Sequence, residues 1–334
     1  MTNDRSRKVE KTCIHCGKCT QSCAFLSRYG LDFGDREKLE ELAWHCFLCG
    51  TCTEVCPAGI DGRERILEMR RERIRKNGGK LPEKGYGLLL WEKKDYRFRN
   101  EKGKTEGSVL FPGCNFPSFY PVTARYLARL LKEKAGIGTV YDCCGKPVAE
   151  LGLEKEEKKI QNRLLEGFEK AGIREVIVLC PNCYHFLKEK LPGIRLVSIY
   201  RKLTELGLGQ KIETAGEQDA LFLPCPDRKS REILADTEPF WQEKPEVLPG
   251  IQCCGLGGCA SVREPELAAG MLSPVKPETR VWTYCASCSG NFVRQGHRNT
   301  DHVLVQILGT GEKADTGHSL LNRIRSKYWK ESYR

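Results

Sequence analysis

The sequence contains no long hydrophobic run. Its longest apolar stretches are the short segments 87–91 and 176–180, whereas a membrane-spanning helix needs about 20 consecutive apolar residues. We therefore expect no membrane span. The first residues, MTNDRSRKVEKTC, have no apolar core and no small-residue cleavage site, so no secretory signal is predicted. Together these absences predict a cytoplasmic protein that is at most peripheral to a membrane complex.

A glycine fingerprint for nucleotide binding is also missing. No G-x-G-x-x-G follows a predicted strand, so a flavin or nicotinamide would have to be bound by another chain. The content of 40% hydrophobic and 30% charged residues is typical of a globular protein and excludes a disordered one. A length of 334 residues allows two or three domains, at roughly 100–200 residues each.

Cysteine, by contrast, is abundant. There are 19 cysteines, and in a chain without an export signal clustered thiols usually bind metal or carry out redox chemistry. Eight of them form two runs with the same C-x2-C-x2-C-x3-C spacing. The first run is Cys13, Cys16, Cys19 and Cys23, and the second is Cys46, Cys49, Cys52 and Cys56.

This spacing is the bacterial ferredoxin pattern, written twice. Three thiolates of a run bind one iron–sulfur cube, and the fourth cysteine binds the cube of the other run. We therefore predict two [4Fe–4S] cubanes with exchanged fourth ligands. The first set is Cys13, Cys16, Cys19 and Cys56, and the second is Cys46, Cys49, Cys52 and Cys23. Zinc is the competing prediction, because paired C-x2-C motifs also form tetrahedral zinc sites.

Segment 35–44 places apolar residues at helical spacing between charged ones and leads into the second run. It favours a helical two-cluster ferredoxin domain over the compact β-hairpin type. Segment 63–76 is strongly basic; it predicts either a solvated helix that packs lightly on the ferredoxin core or a docking surface for an acidic redox partner. Nucleic acid is not predicted as a partner, because no aromatic residues lie among these charges. The net charge of +11 does not alter this, because it counts every cysteine as neutral and bound thiolates would lower it. We assign 1–80 to the ferredoxin domain and 81–107 to a linker.

The remaining chain repeats itself. A strand-like run ends at Cys114 and again at Cys225, a CCG triplet occurs at 143–145 and at 253–255, and a C-x2-C pair follows in each half. The order is the same and the offsets are 105–111 residues, which indicates an internal duplication. The predicted modules are 108–215 and 216–334.

Helical patterns at 120–136 and 153–172 alternate with these strand-like runs, which predicts α/β modules with parallel sheets. In such sheets functional groups collect at the carboxyl ends of the strands, where each cysteine motif lies. Five thiols per module are therefore expected in one crevice. The first five are Cys114, Cys143, Cys144, Cys180 and Cys183, and the second five are Cys225, Cys253, Cys254, Cys285 and Cys288.

The ferredoxin runs followed by a duplicated C…CCG…C-x2-C pattern resemble heterodisulfide reductases, in which a helical ferredoxin is joined to a duplicated cysteine-rich CCG module. The resemblance covers nearly the whole chain and implies two tandem Rossmann-like modules. It also implies that each set of five cysteines holds a noncubane [4Fe–4S] cluster and that the two clusters split a disulfide between them. Zinc in place of an iron–sulfur cluster remains an alternative for one of the modules. Only 28 residues separate Cys114 from the first CCG triplet, which is a short gap. We therefore do not predict the coenzyme M–coenzyme B disulfide as the substrate of this chain.

The resemblance also implies partners: a small-molecule disulfide or related substrate, and a redox protein that contains flavin, is a hydrogenase, or is a membrane electron-transfer subunit. The alternative is a non-catalytic relay between a flavin dehydrogenase and a quinone or membrane partner.

Weaker candidates are residues that lie near the ligands in sequence. These are Lys146, Arg228 and Arg294 for an anionic substrate, His185 as a proton donor, Gly145 and Gly255 for close approach to a cluster, Cys259 as a spare or inert thiol, and His302 as a core residue.

Overall fold

The computed structural model describes residues 12–214 and 216–330. The N-terminal segment through residue 11, the last four residues and the predicted module boundary at residue 215 lie outside the described residues. The α-helices are α1 Lys18–Ser22, α2 Ala24–Tyr29, α3 Arg36–Glu41, α4 Thr51–Glu54, α5 Gly62–Lys76, α6 Gly87–Lys93, α7 Phe116–Phe119, α8 Pro121–Ala135, α9 Lys146–Glu150, α10 Glu154–Lys170, α11 Pro181–Leu187, α12 Ile199–Glu205, α13 Glu232–Thr237, α14 Pro265–Gly270, α15 Ala286–Arg294, α16 Val303–Ile307 and α17 Ser319–Ser326. The strands are β1 Asn100–Gly103, β2 Gly107–Phe111, β3 Gly138–Tyr141, β4 Ile173–Val178, β5 Arg195–Ser198, β6 Asp219–Leu221, β7 Glu246–Val247, β8 Arg280–Thr283 and β9 Thr300–His302.

The N-terminal region is helical, as predicted. α3 and the 3₁₀ turn Ala43–His45 fill the expected helix before the second cysteine run. Leu39 and Trp44 are fully buried there, because they lie on the face that packs against α5. The ferredoxin region therefore has a helical core, with six of its cysteines on loops and Cys19 and Cys52 in the short helices α1 and α4.

A five-stranded sheet forms the centre of the first module, with strand order β1-β3-β2-β4-β5. Four of its strands are parallel, and β1 alone joins antiparallel to β3. The long helices predicted from the sequence appear as α8 and α10. The α/β architecture is confirmed, and the parallel strands bring their carboxyl ends to one edge, where a cysteine motif follows each of β2, β3 and β4.

The second module has a smaller sheet of order β7-β6-β8-β9, in which all neighbours are parallel. Its order matches the parallel part of the first sheet. One expectation is wrong: the residues directly before Cys253 do not form a strand, because β7 ends at Val247 and the chain then turns through Gly250 with φ +72°. The cysteine pair still follows an edge strand, but after a longer loop.

Segment 81–107, which we predicted to be a linker, is folded. It contains α6 and β1, and the side chains of Tyr96 and Phe98 are buried beside Cys114 and Cys143. Its Gly and Pro residues had suggested an open connection, but its aromatic residues anchor it on the first module. The segment therefore forms part of the wall around the cysteines.

Helix α5 is more than a lightly packed helix, because one of its arginines is completely buried. The Arg70 guanidinium donates to the carbonyl oxygens of Ala43 (3.0 Å), Cys46 (2.7 Å), Glu150 (2.6 Å) and Gly258 (2.8 Å). These acceptors belong to the ferredoxin region and to both modules, so a single side chain joins three parts of the chain.

Most of the remaining basic side chains of α5 form ion pairs within the protein, with Glu40, Glu64, Glu68, Glu83 and Glu154. The idea that this helix is a free basic surface for an acidic partner is therefore weakened.

Among the described residues, no helix combines the length and apolar character that a membrane crossing requires.

Replacing Arg70 by methionine should destabilise the protein by at least about 3 kcal/mol, because four buried carbonyls would lose their donor. The matched control is Arg75→Met on the same helix, since the Arg75 side chain is 57% exposed and exposed ion pairs contribute about 0–1 kcal/mol. Urea unfolding of anaerobically purified protein, followed by circular dichroism, measures both. Equal unfolding midpoints for the two variants would contradict the role given to Arg70.

Candidate functional site

The two ferredoxin runs fold into loops of the same shape. His15 and Leu48 have positive φ angles of 51° and 49°, and Gly17 and Gly50 follow with 71° and 84°. In both loops the backbone N–H of the first of these residues donates to the sulfur of the first cysteine of its run, at 3.4 Å. Positive φ is unusual for histidine and leucine, so the repeated geometry is typical of a built cluster-binding loop.

The structure brings together the four cysteines predicted for the first cubane. Cys13, Cys16, Cys19 and Cys56 line one small pocket, which is closed by apolar residues that include Phe33. The fourth member comes from the second run, as the exchanged ligand pattern requires. Cys16 is exposed, so this site reaches the protein surface.

The second set is more deeply buried. Cys46 and Cys52 have pKa values raised by burial first and then by the neighbouring thiols of their own set, Cys23 and Cys49. The side-chain amide of Gln252 donates to Cys23 Sγ and to Cys49 Sγ, each at 3.4 Å. The four sulfurs therefore share one site with a donor from the second module.

Both sets fit an iron–sulfur cube, because they offer four soft sulfur ligands each. A mixed set also exists at the surface: Cys13, His15 and Asp32 have ligand atoms within 4.8 Å of one another, and His15 Nδ1 lies 3.0 Å from Asp32 Oδ2. Three ligands of mixed hardness suit zinc better than iron–sulfur chemistry. The four-thiol pocket competes with this set for Cys13 and provides one more ligand.

The ten cysteines of the modules form one continuous chain of neighbouring thiols. In the first module the order of contact is Cys114, Cys143, Cys144, Cys183 and Cys180. In the second module it is Cys225, Cys253, Cys254, Cys288 and Cys285, which is the same order in equivalent positions. Cys180 and Cys285 are in contact with each other and connect the two halves.

The second cysteine of each CCG triplet has a lowered pKa. The pKa of Cys144 is lowered to about 5 by hydrogen bonds from Cys143 and Cys183. The pKa of Cys254 is lowered to about 6 by the equivalent neighbours. A thiolate is the metal-binding form of cysteine, so the lowered pKa at this position favours metal binding in each module.

A cavity of about 490 Å³ opens onto eight of these ten cysteines. Apolar side chains from three parts of the chain line it, among them Phe47, Leu89 and Val262. Lys146 also lines it and pairs with Glu150. The volume suits a small molecule, and the mixed lining provides both apolar contact and charge.

Sequence inspection missed Lys93, which lies on α6 inside the supposed linker. Its ammonium lines the cavity, 2.6 Å from Glu92 Oε1, and Glu92 in turn lies 2.9 Å from Arg323 Nε. Burial alone would lower the pKa of Lys93, but the nearby thiols of Cys114 and Cys143 raise it above its usual value. No local signal separates this lysine from Lys94, which points outward and pairs with Glu156.

The weaker candidates divide by position. Arg228 contacts the cysteines directly, because its Nη2 lies 3.6 Å from Cys225 Sγ. Arg294 does not face the crevice; it packs over Phe119 and donates to Ser319. His185 Nε2 lies 2.8 Å from the buried Asp227 Oδ1 and is held there.

His302 is a buried core residue, as expected, and burial lowers its pKa to about 3. Cys259 lines the crevice but is not among the ten linked thiols, and burial raises its pKa to about 12. Gly145 and Gly255 are required for a different reason than close approach to a cluster. Both have φ near +90°, and a side chain on Gly255 would approach the Ala268 carbonyl oxygen to 2.7 Å.

Two protein families match this chain. Residues 10–60 match the 4Fe-4S dicluster domain family, and residues 108–188 match the cysteine-rich domain family known as CCG. The first match covers both predicted ferredoxin runs, and the second covers the five cysteines of the first module. No solved structure matches the chain.

Curated relatives cover most of the chain at low identity. An uncharacterized iron–sulfur protein of Methanococcus maripaludis is 24% identical over 78% of this chain and 61% of its own length. The EtfAB:quinone oxidoreductase of Syntrophomonas wolfei is 31% identical over 46% of this chain and 25% of its own length. One subunit of the dihydromethanophenazine:CoB--CoM heterodisulfide reductase of Methanosarcina barkeri is 22% identical over 78% of this chain and 81% of its own length. The chain thus spans less than two thirds of the first two relatives.

Cysteine replacements distinguish ligands from bystanders. Cys56→Ala should remove one cubane, about four irons per chain, because the pocket at Cys13 would lose its fourth thiolate. Cys259→Ala should leave the iron content unchanged, because Cys259 lies outside both ferredoxin sets and outside the chain of ten. Iron and acid-labile sulfide assays on anaerobically purified protein measure both variants; loss of iron from Cys259→Ala alone would reverse the assignment.

Proposed function

We propose that this chain, which joins a 4Fe-4S dicluster domain to a cysteine-rich CCG domain and is homologous to a heterodisulfide reductase component, reduces a small-molecule disulfide in its cysteine-lined crevice. The chain is an iron–sulfur oxidoreductase subunit; what we propose is the class of its substrate and the type of its clusters. The observation that carries the proposal is the continuous chain of ten thiols. Its order is the same in both modules, and the two halves meet at Cys180 and Cys285.

The cysteines would hold four clusters. The two ferredoxin sets would bind cubane [4Fe–4S] clusters, and each five-cysteine set would bind a noncubane [4Fe–4S] cluster in a Rossmann-like module of a tandem pair. Bound there, the clusters supply single-electron carriers and iron atoms that accept thiolate sulfur. Five thiolates exceed the four ligands of a tetrahedral zinc site, which disfavours zinc in either module.

The reaction breaks one S–S bond and consumes two electrons and two protons, so RSSR′ becomes RSH and R′SH. A reduced redox protein, with flavin or iron–sulfur cofactors, would supply the electrons. The crevice itself supplies the environment for the charge that develops on the departing sulfurs. Lys93 and Arg228 lie at the equivalent cysteines Cys114 and Cys225, one in each module, so each half provides a cation where negative sulfur accumulates.

The crevice also selects by size and polarity. About 490 Å³, shared with any bound cluster, admits a small disulfide and excludes a folded protein substrate. Apolar residues such as Leu256 and Val262 shield the sulfur atoms from bulk water. Lys146 and Arg323 are placed to contact a carboxylate or similar anionic group of the substrate.

A relay function is the second candidate. Similarity to an EtfAB:quinone oxidoreductase over 46% of this chain supports electron transfer between a flavoprotein and a quinone-reducing partner. In that case the crevice would take no substrate. The complete set of five cysteines in both modules favours the reductase, because a relay needs no second open site.

Electron paramagnetic resonance on anaerobically purified protein tests the proposal. About sixteen irons per chain are expected for four clusters, together with a new paramagnetic signal when candidate small-molecule disulfides are added to the reduced protein. Eight irons with zinc, and no response to any disulfide of a panel, would leave a ferredoxin relay. Sixteen irons with no disulfide turnover would also contradict the reductase proposal.

Lys93 gives a sharper test of the crevice. Lys93→Met should lower disulfide-dependent turnover at least tenfold, corresponding to about 1.4 kcal/mol of lost stabilisation of the developing thiolate, while the iron content stays unchanged. Lys93→Arg should restore part of the rate, because the charge returns. Lys94→Met is the matched control on the neighbouring, outward-facing lysine. Full activity of Lys93→Met would remove this residue from the site.

A further inference from the structure

Gln252 connects the buried ferredoxin site to the second module. Its amide nitrogen donates to Cys23 Sγ and Cys49 Sγ, and its amide oxygen accepts the backbone N–H of Ala24 at 2.8 Å. The next residue in the chain is Cys253, the start of the second CCG triplet. One side chain therefore contacts two cysteines of the ferredoxin site, while its own backbone leads into the five-cysteine set.

The surroundings reinforce this connection. Arg228 Nη2 donates to the Gln252 carbonyl oxygen at 2.6 Å, and the same nitrogen lies 3.6 Å from Cys225 Sγ. Its Nη1 donates to Thr51 in the second ferredoxin run, at 2.9 Å. The guanidinium thus contacts a cysteine of the second module, a threonine of the second ferredoxin run and the backbone of Gln252.

Packing at this contact is tight. Phe47 and Cys49 share an apolar cluster with Cys253. A Cβ on Gly257 would lie 2.2 Å from the Phe47 carbonyl oxygen, so only glycine permits this approach. The second module is therefore pressed against the ferredoxin loop that carries Cys46 and Cys49.

The first module has no equivalent contact among the described residues. The position that corresponds to Gln252 is Asp142, whose side chain is fully buried and paired with Arg163. The first module instead meets the ferredoxin region through Trp44 and Arg70, which bond to the backbone carbonyls of Leu151 and Glu150. Neither contact involves a cysteine sulfur.

From this asymmetry we infer that Gln252 is the positioning residue through which the buried ferredoxin site is coupled to the crevice, and that electrons enter the ten-cysteine crevice at the second module. The inference rests on the proposed function. N–H groups that donate to ligand sulfur stabilise the more negative, reduced state and raise the reduction potential. Gln252 therefore sets the potential of the site that it touches and leaves the Cys13 site unaffected.

Two variants separate these effects. Gln252→Met is similar in length and has no N–H donor. Gln252→Glu keeps an oxygen for the Ala24 amide but replaces the donor by a negative charge. The control is Asn182→Leu, because Asn182 Nδ2 lies 3.6 Å from Cys285 Sγ, where the two halves of the chain of thiols meet and away from the ferredoxin sets.

The measurement is an anaerobic redox titration followed by electron paramagnetic resonance, on whole protein whose iron content equals that of the wild type. In Gln252→Met one ferredoxin-type signal should shift to lower potential while the other stays fixed, and Gln252→Glu should shift the same signal further. Because a lower potential by itself would speed electron donation, slower reoxidation of the shifted centre by a disulfide in stopped-flow measurements should mark the loss of the contact through which electrons leave it. Asn182→Leu should leave both ferredoxin signals in place.

Unchanged ferredoxin potentials in both fully loaded Gln252 variants would overturn the inference, as would equal shifts of both signals. If the potential shifts but the wild-type protein reduces no disulfide, the role of Gln252 at the buried site stands and the proposed function fails. If the wild type reduces disulfides and neither potential moves, the proposed function stands and the inference fails.

Discussion

The Arg70 guanidinium is the contact on which the arrangement of the whole molecule depends. It is fully buried, and its acceptors lie in the ferredoxin region and in both modules. Burial lowers the pKa of Arg70, yet an arginine remains charged at any pH the protein meets. Four carbonyl dipoles compensate that charge and fix the relative positions of three folded parts. One of the acceptors is Cys46 itself, so the same contact orients a cluster-binding loop.

The two modules are alike in their contacts inside the crevice and different in their contacts outside it. Within the crevice the modules are equivalent, with the same sequence of thiol contacts and an acidic thiol at Cys144 and Cys254. Outside it they differ, because within the described part of the chain only the second module touches a ferredoxin site through a side-chain donor to sulfur. Two five-cysteine sets with the same contacts suit a reaction in which the two sulfur atoms of a disulfide substrate are treated alike. An asymmetric approach gives electrons a defined entrance.

Residue spacing predicted those features of the structure that depend on residues close together in the chain. The cysteine runs, the helix before Cys46, and the helices α8 and α10 follow from short-range patterns, and the structure has them. The segment predicted to be a linker is folded, because the burial of Tyr96 and Phe98 against the first module outweighs its Gly and Pro signals. In α5 the helical period places Arg70 on the same stripe as Ile66, Met69 and Ile74, but it does not show that the charged group is completely buried.

The sequence by itself determined which cysteines form each ferredoxin run, because spacing within a run is a property of the local backbone. It also determined the α/β alternation that brings the cysteine motifs to the carboxyl ends of parallel strands. Only the tertiary structure decided what surrounds the sulfur atoms. Lys93 and Gln252 reach them from positions that no cysteine spacing marks, since a single side chain that crosses between domains leaves no periodic trace in the sequence.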